Sequence, residues 1–142
     1  FMGLGGGDAV TQMLIGTNLG PYGVLFIMMG IVFFLGMFID WLGILLIVIP
    51  IFVPVAMELG FNQLWFATLL CVNLQMAFLT PPFGYSLFYL RGIAPSEMTI
   101  VHIYKGAIPF IILQWTGLFL CILFPEIVLW LPRLAFGVGA VG

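Results

Sequence analysis

Charge is what this 142-residue sequence has least of, with three Lys and Arg, five Asp and Glu and a single His. Charged residues make up 6% of the chain and hydrophobic ones 64%, and the mean hydropathy is +1.32. Soluble domains carry roughly 25% charged residues. A core sized for this length cannot bury so much apolar surface, so the excess must face lipid, and an all-α integral membrane fold in the bilayer is expected. The net charge of −2, with no basic tail, excludes nucleic acid as a partner. Cysteine is scarce as well. Cys71 and Cys121 each sit inside an apolar run with no pairing motif, which reads as two buried small hydrophobes and no disulfide framework. The opening "FMGLGGGDAV" lacks a basic segment, an apolar run and a cleavage site, so it is no signal peptide and reads as the middle of a longer protein. Zinc spacings, a Gly-x-Ser-x-Gly elbow and a phosphate loop are all missing, and the chain is not expected to be an enzyme.

What is present comes as apolar runs with unusual punctuation. Residues 8–19 ("DAVTQMLIGTNL") are too polar to span a bilayer and suit a helix lying at the interface. After Gly20-Pro21 an uncharged run reaches Ile39, "DWLG" follows at once, and a second apolar run continues to Met57. A turn between two spans normally lies in water and is polar, yet "MFIDWLG" has one Asp as its only charge. Two readings of 20–60 stay open at this point: two spans with a tight external turn, or a re-entrant hairpin whose tip ends inside the membrane. Gly36 and Gly43 flank the turn and permit close backbone approach. On the returning arm, Pro50 and Pro54 must bend or loosen the helix.

"ELGFNQ" is a polar connection, after which 62–90 is long enough for a full span with an interruption at 80–84, "TPPFG". That is the form of a discontinuous helix. The segment 95–105 ("PSEMTIVHIYK") is amphipathic and reads as a second interfacial arm, and 107–134 holds a clear span interrupted at Pro125-Glu126. Arg91 and Lys105 flank the second arm, which argues for a cytoplasmic location of that end.

Broken helices at membrane depth free backbone groups that lipid cannot satisfy, and in secondary transporters those groups hold ions and substrate. Pro81 and Pro82 lack N–H groups, so the carbonyls of Ala77 and its neighbours lose their intrahelical donors, and Thr80 adds a hydroxyl oxygen. Hard cations take oxygen ligands, which makes the break a sodium cradle; the alternative is a proline kink satisfied by packing. Asp40 is either an intramembrane carboxylate with a function or a wet turn residue, depending on which hairpin reading holds. Asn73 contacts substrate or bonds a neighbouring helix, and Pro81, Pro82 and Gly84 join it and Asp40 as candidate substrate contacts. Glu97 and His102 read as a solvated face, with a proton relay as the sharper alternative.

The stretches "LGMFID", "IPIFVPVAMELGFNQLWFATLLCVNLQMAFLTPPFGYSLF" and "FPEIVLWLP", in this order, resemble the carboxy-terminal portion of the large membrane subunit of TRAP (tripartite ATP-independent periplasmic) transporters. The likeness covers nearly the whole chain. It implies half of an elevator-type sodium symporter with inverted repeats like those of the ion-transporter superfamily: a re-entrant hairpin with its tip in the membrane, a discontinuous helix, interfacial arm helices and a scaffold helix. It further implies a multi-pass location in the bacterial inner membrane, a periplasmic solute-binding protein and a small Q-type membrane subunit as partners, and an organic acid as solute. Matched residue by residue, a sodium ion would be held by Gly36, Ala77, Thr80 and Phe83, mostly through carbonyls. Ala77 departs from the family, in which many members have Gly there. Two other readings are a stand-alone sodium/divalent-anion symporter of related fold and a non-transporting structural subunit of a membrane complex.

Overall fold

The computed structural model describes residues 19–80 and 85–137, together with 12, 13 and 16. All regular structure among them is helical: α1 Gly20–Phe38, α2 Trp41–Glu58, α3 Gln63–Leu79, α4 Tyr85–Ile93, α5 Ile100–Leu123 and α6 Glu126–Phe136. Among the described residues α1, α2 and α5 are long and apolar enough to cross a membrane, while α3 is an apolar helix of 17 residues. The expected first arm, 8–19, falls almost wholly outside the described residues.

The pattern of burial explains the arrangement. On α1, Val24, Leu25, Met28, Met29, Val32 and Gly36 are buried at helical spacing, while Phe26, Ile31, Phe34 and Phe38 point outward. One face packs and the other is left for lipid. α3 buries a wider face: Trp65, Phe66, Leu69, Leu70, Asn73, Leu74, Met76 and Ala77 are buried, while Leu64, Ala67, Cys71 and Gln75 form one exposed stripe. With that broad face α3 touches every other described helix. The main core runs from α1 and α2 through α3 to Leu118 and Ile122 of α5 and Leu129 of α6. A smaller cluster of Leu87, Ile103 and Ala107, with Leu79 packed against it, joins α4 to the first half of α5.

Helix ends follow local chemistry. Pro21 sits in the first turn of α1, where a missing N–H costs nothing. α1 ends at Phe38, Ile39 is extended, and Asp40 is the N-cap of α2, its carboxylate accepting the Leu42 N–H at 3.3 Å. The exit from α2 is a complete Schellman turn: Gly60 takes φ +81°, its N–H donates to the Met57 carbonyl, and the Phe61 N–H donates to that of Ala56. Asn62 then caps α3 by accepting the Trp65 N–H at 3.0 Å. Pro50 and Pro54 lie inside α2, which continues through both.

The chain between 95 and 134 is divided differently from the sequence expectation of an arm over 95–105 and a span over 107–134. Thr99 and His102 form a capping box, with the Thr99 hydroxyl 3.0 Å from His102 Nδ1, and the helix they open runs without a stop to Leu123. The second half of the expected arm is thus the first part of α5. Gly106 weakens a helix by only about 1 kcal/mol relative to Ala, which is too little to end one. The stop comes instead at Phe124-Pro125, where α6 begins, carrying an exposed Glu126–Arg133 ion pair of 2.6 Å. α5 packs against α1: Phe33 and Trp115 meet edge to face at 5.7 Å, and Phe26 and Phe119 at 6.3 Å. Cys121 is half-buried, but Cys71, expected inside, is exposed on the outer face of α3.

Candidate ion and solute site at the hairpin tip

The last turn of α1 lies directly on the last turn of α3. Gly36 is buried, and a methyl group placed on it would sit 2.6 Å from the Ala77 Cβ and 3.5 Å from Leu74 Cδ2. Real carbon atoms do not approach so closely, so the two helices meet only because position 36 has no side chain. This contact brings the tip of the hairpin to the end of α3. Gly36 and Ala77, 41 positions apart in sequence, become neighbours.

At the end of α3, Thr80 is extended (φ −95°, ψ 132°). Its N–H has left the Met76 carbonyl and donates to Ala77 O at 3.2 Å, and its hydroxyl donates to Met76 O at 2.9 Å in place of the lost amide. The Ala77 carbonyl, expected from the sequence to be without a donor because Pro81 has none to give, therefore accepts one bond. Each of these carbonyls keeps a second lone pair, and the Thr80 hydroxyl oxygen keeps its own. Three oxygen atoms thus gather in the final turn of α3, beside Gly36. Residues 81–84, and with them Pro81, Pro82, Phe83 and Gly84, lie outside the described residues; the next helix, α4, opens at Tyr85.

A cleft of about 240 Å³ lies next to this turn, lined by Asp40, Trp41, Phe78, Ser86 and Tyr89. Tip and both flanks of the interruption contribute to it. Asp40 is exposed there while capping α2. Sequence reasoning missed Trp41, Ser86 and Tyr89. The signal for the last two was available: they stand three residues apart at the start of α4, one turn beyond "TPPFG", both with hydroxyl groups. Asn73 is elsewhere. It is buried, and its Nδ2 donates to Met29 O of α1 at 2.7 Å, so its amide joins two helices and does not line the cleft. His102 is occupied in the cap of α5, in a separate apolar groove of about 510 Å³ between α4 and α5.

A family model described as tripartite ATP-independent periplasmic transporter, DctM component, matches residues 1–127. The chain belongs to this family of TRAP transporter large membrane subunits. Among TRAP relatives, it is 31% identical to the sialic acid TRAP transporter permease protein SiaT of Haemophilus influenzae, over 88% of the chain and 20% of the relative. The C4-dicarboxylate TRAP transporter large permease protein DctM of Vibrio cholerae is 30% identical over 90% of the chain and 28% of its own length. The ectoine/5-hydroxyectoine TRAP transporter large permease protein UehC of Ruegeria pomeroyi is 33% identical over 89% and 30%. The chain thus spans between a fifth and a third of the length of these TRAP permeases. All three are transport proteins by name, and the solutes in their names differ. Membership makes the chain a membrane protein of a transport family.

Proposed function

We propose that this segment forms an ion and solute site of a TRAP transporter large subunit, which takes up an organic acid at the expense of a sodium gradient. The observation that carries the reading is the Gly36–Ala77 contact. It sets the hairpin tip beside a helix end where the carbonyls of Met76 and Ala77 and the Thr80 hydroxyl converge. In this reading the tip ends within the membrane, sodium is held by Gly36, Ala77, Thr80 and Phe83, and the solute lies in the cleft at Asp40. Family membership supports a periplasmic binding protein and a small membrane subunit as partners, a bacterial inner-membrane location and movement of the elevator type.

An acid beside Asp40 poses an electrostatic problem, since two carboxylates within about 4 Å repel by about 4 kcal/mol at an effective dielectric constant of 20. Bound sodium offsets that repulsion, which ties solute binding to the ion. The hydroxyl groups of Ser86 and Tyr89 are donors for a solute carboxylate, while Asp40 accepts from a solute hydroxyl or ammonium group. Pro81, Pro82 and Gly84 remain candidate solute contacts on the strength of the sequence.

The test is uptake by liposomes containing the complete permease and its small subunit, driven by the binding protein loaded with acids that raise its melting temperature. Uptake should follow an inward sodium gradient and vanish when potassium replaces sodium. Equal uptake with either cation would end the sodium reading. Uptake without any binding protein would point to a stand-alone symporter.

A further inference from the structure

The base of the hairpin, at the opposite end of α3 from the tip, contains a hydrogen bond that no local rule requires. α5 ends with Phe124, whose N–H donates to Leu120 O at 2.8 Å. The next residue is Pro125, so the Cys121 carbonyl has no donor four residues on. In a bilayer such an orphan costs free energy unless something else reaches it. Trp65 Nε1 does, at 2.8 Å, from 56 residues away in the sequence. The indole is itself held on two sides. Its backbone N–H is capped by Asn62 at 3.0 Å, and its ring stacks on Phe61 at 5.3 Å, with Tyr22 of α1 edge-on to Phe61 at 5.6 Å. Trp65 is 2% exposed, and Cys121 is half-buried.

We infer that Trp65 is a positioning residue for transport: its N–H fills the acceptor that Pro125 leaves open, clamping α5 to the hairpin base so that this end of the unit moves as one body. The inference rests on the functional reading above, and it deepens that reading by naming where the unit does not open. At the base, Trp65 thus ties α3 to α5, and Phe61 in the connection from α2 links its ring to Tyr22 of α1. At the tip, Ile39 and Thr80 are both extended and a cleft lined by Asp40, Trp41 and Phe78 lies beside them. In Trp65→Phe, an aromatic ring remains against Phe61 while the donor is lost together with part of the buried ring volume. In Pro125→Ala, a backbone N–H returns to the Cys121 carbonyl and the indole is no longer its sole donor.

Both changes, singly and together, are to be made in the complete permease and read two ways. Hydrogen exchange should accelerate about threefold to tenfold in 56–66 and 118–124 for Trp65→Phe, the range expected when one hydrogen bond is lost, with 36–42 unchanged. Maximal uptake per folded molecule should fall by a similar factor, with the half-saturating sodium concentration and the apparent KM for loaded binding protein unaltered. Pro125→Ala should shrink both penalties of Trp65→Phe. Equal penalties in the two backgrounds would overturn the pairing of the indole with this carbonyl. Faster exchange with unchanged uptake would reduce Trp65 to a stabilising residue, and a shift in half-saturating sodium would place its action at the ion site. Should Pro125→Ala fail to insert, the Trp65 indole proton in a ¹⁵N-tryptophan spectrum answers the same question: slow solvent exchange supports the bond and rapid exchange refutes it. Exchange and spectrum do not require sodium-driven uptake, so a failure of the clamp is distinguishable from a failure of the transport reading.

Discussion

At its base, the hairpin passes from α2 into α3 through Gly60, with the Schellman bonds and the Asn62 cap closing backbone groups of the turn and the Trp65 indole closing the Cys121 carbonyl of α5. At its tip, α1 passes into α2 through Ile39 and Asp40, whose carboxylate makes a single long cap of 3.3 Å, and the neighbouring end of α3 turns the Thr80 hydroxyl back on its own helix. Both ends are turns between apolar helices of similar length. One is packed with aromatic rings and closed; the other keeps spare oxygen lone pairs beside a cleft. A helix end that is fully satisfied has nothing left to offer a ligand, and the contrast separates the part of the unit that holds from the part that binds.

The strongest way to break the contrast is to make the tip resemble the base. Pro81→Ala with Pro82→Ala restores two N–H donors after Thr80 and lets a helix continue; sodium-coupled uptake into liposomes should be lost while membrane insertion persists. Normal uptake by that form would mean the prolines are a kink and nothing more. Thr80→Val removes one hydroxyl and nearly keeps shape. The half-saturating sodium concentration should rise about 5- to 150-fold, for a ligand contributing roughly 1–3 kcal/mol, when uptake is titrated with sodium. An unchanged titration would remove the hydroxyl from the site. Gly36→Ala drives a methyl to 2.6 Å from Ala77 Cβ. Overpacking of this kind costs about 1–3 kcal/mol, so the melting temperature of the detergent-solubilised permease should fall and sodium affinity with it. The smallest change sharpens the contrast from the other side. Asn62→Ala removes the cap at the base for about 1 kcal/mol, lowering thermal stability while leaving half-saturating sodium where it was.

How much of this was readable beforehand depends on whether the cause was local. Pro81-Pro82 announces an interruption because proline acts on its own backbone, and α3 ends at Leu79 beside it. Gly60 and Asn62 mark a turn by the same logic. The Thr99–His102 box is also local, but the amphipathic look of 95–105 obscured it, and Lys105 and Gly106 were taken for a boundary that the helix ignores. Contacts across the fold were not legible. Nothing near Asn73 in sequence names Met29 as its acceptor, and nothing near Trp65 names Cys121. The Ala77 carbonyl shows why simple bond counting failed there: removing the donor at 81 was counted, but the shift of the Thr80 N–H onto that oxygen was not. Of the cleft, only Asp40 was foreseen, because Trp41, Ser86 and Tyr89 have ordinary surroundings in sequence and acquire a role through the approach of tip and α4.

The crossing at Gly36 and Ala77 has a consequence for descent. The space between the two helices admits one methyl group, and here α3 holds it. Positions 36 and 77 therefore share a single allowance, and a lineage that spends it on one helix must leave hydrogen on the other. Glycine at 77 would free alanine at 36, whereas alanine at both would push the helices apart. Divergence at these two sites is expected to proceed as an exchange between them, and the pair records the distance of closest approach as faithfully as either residue records its own.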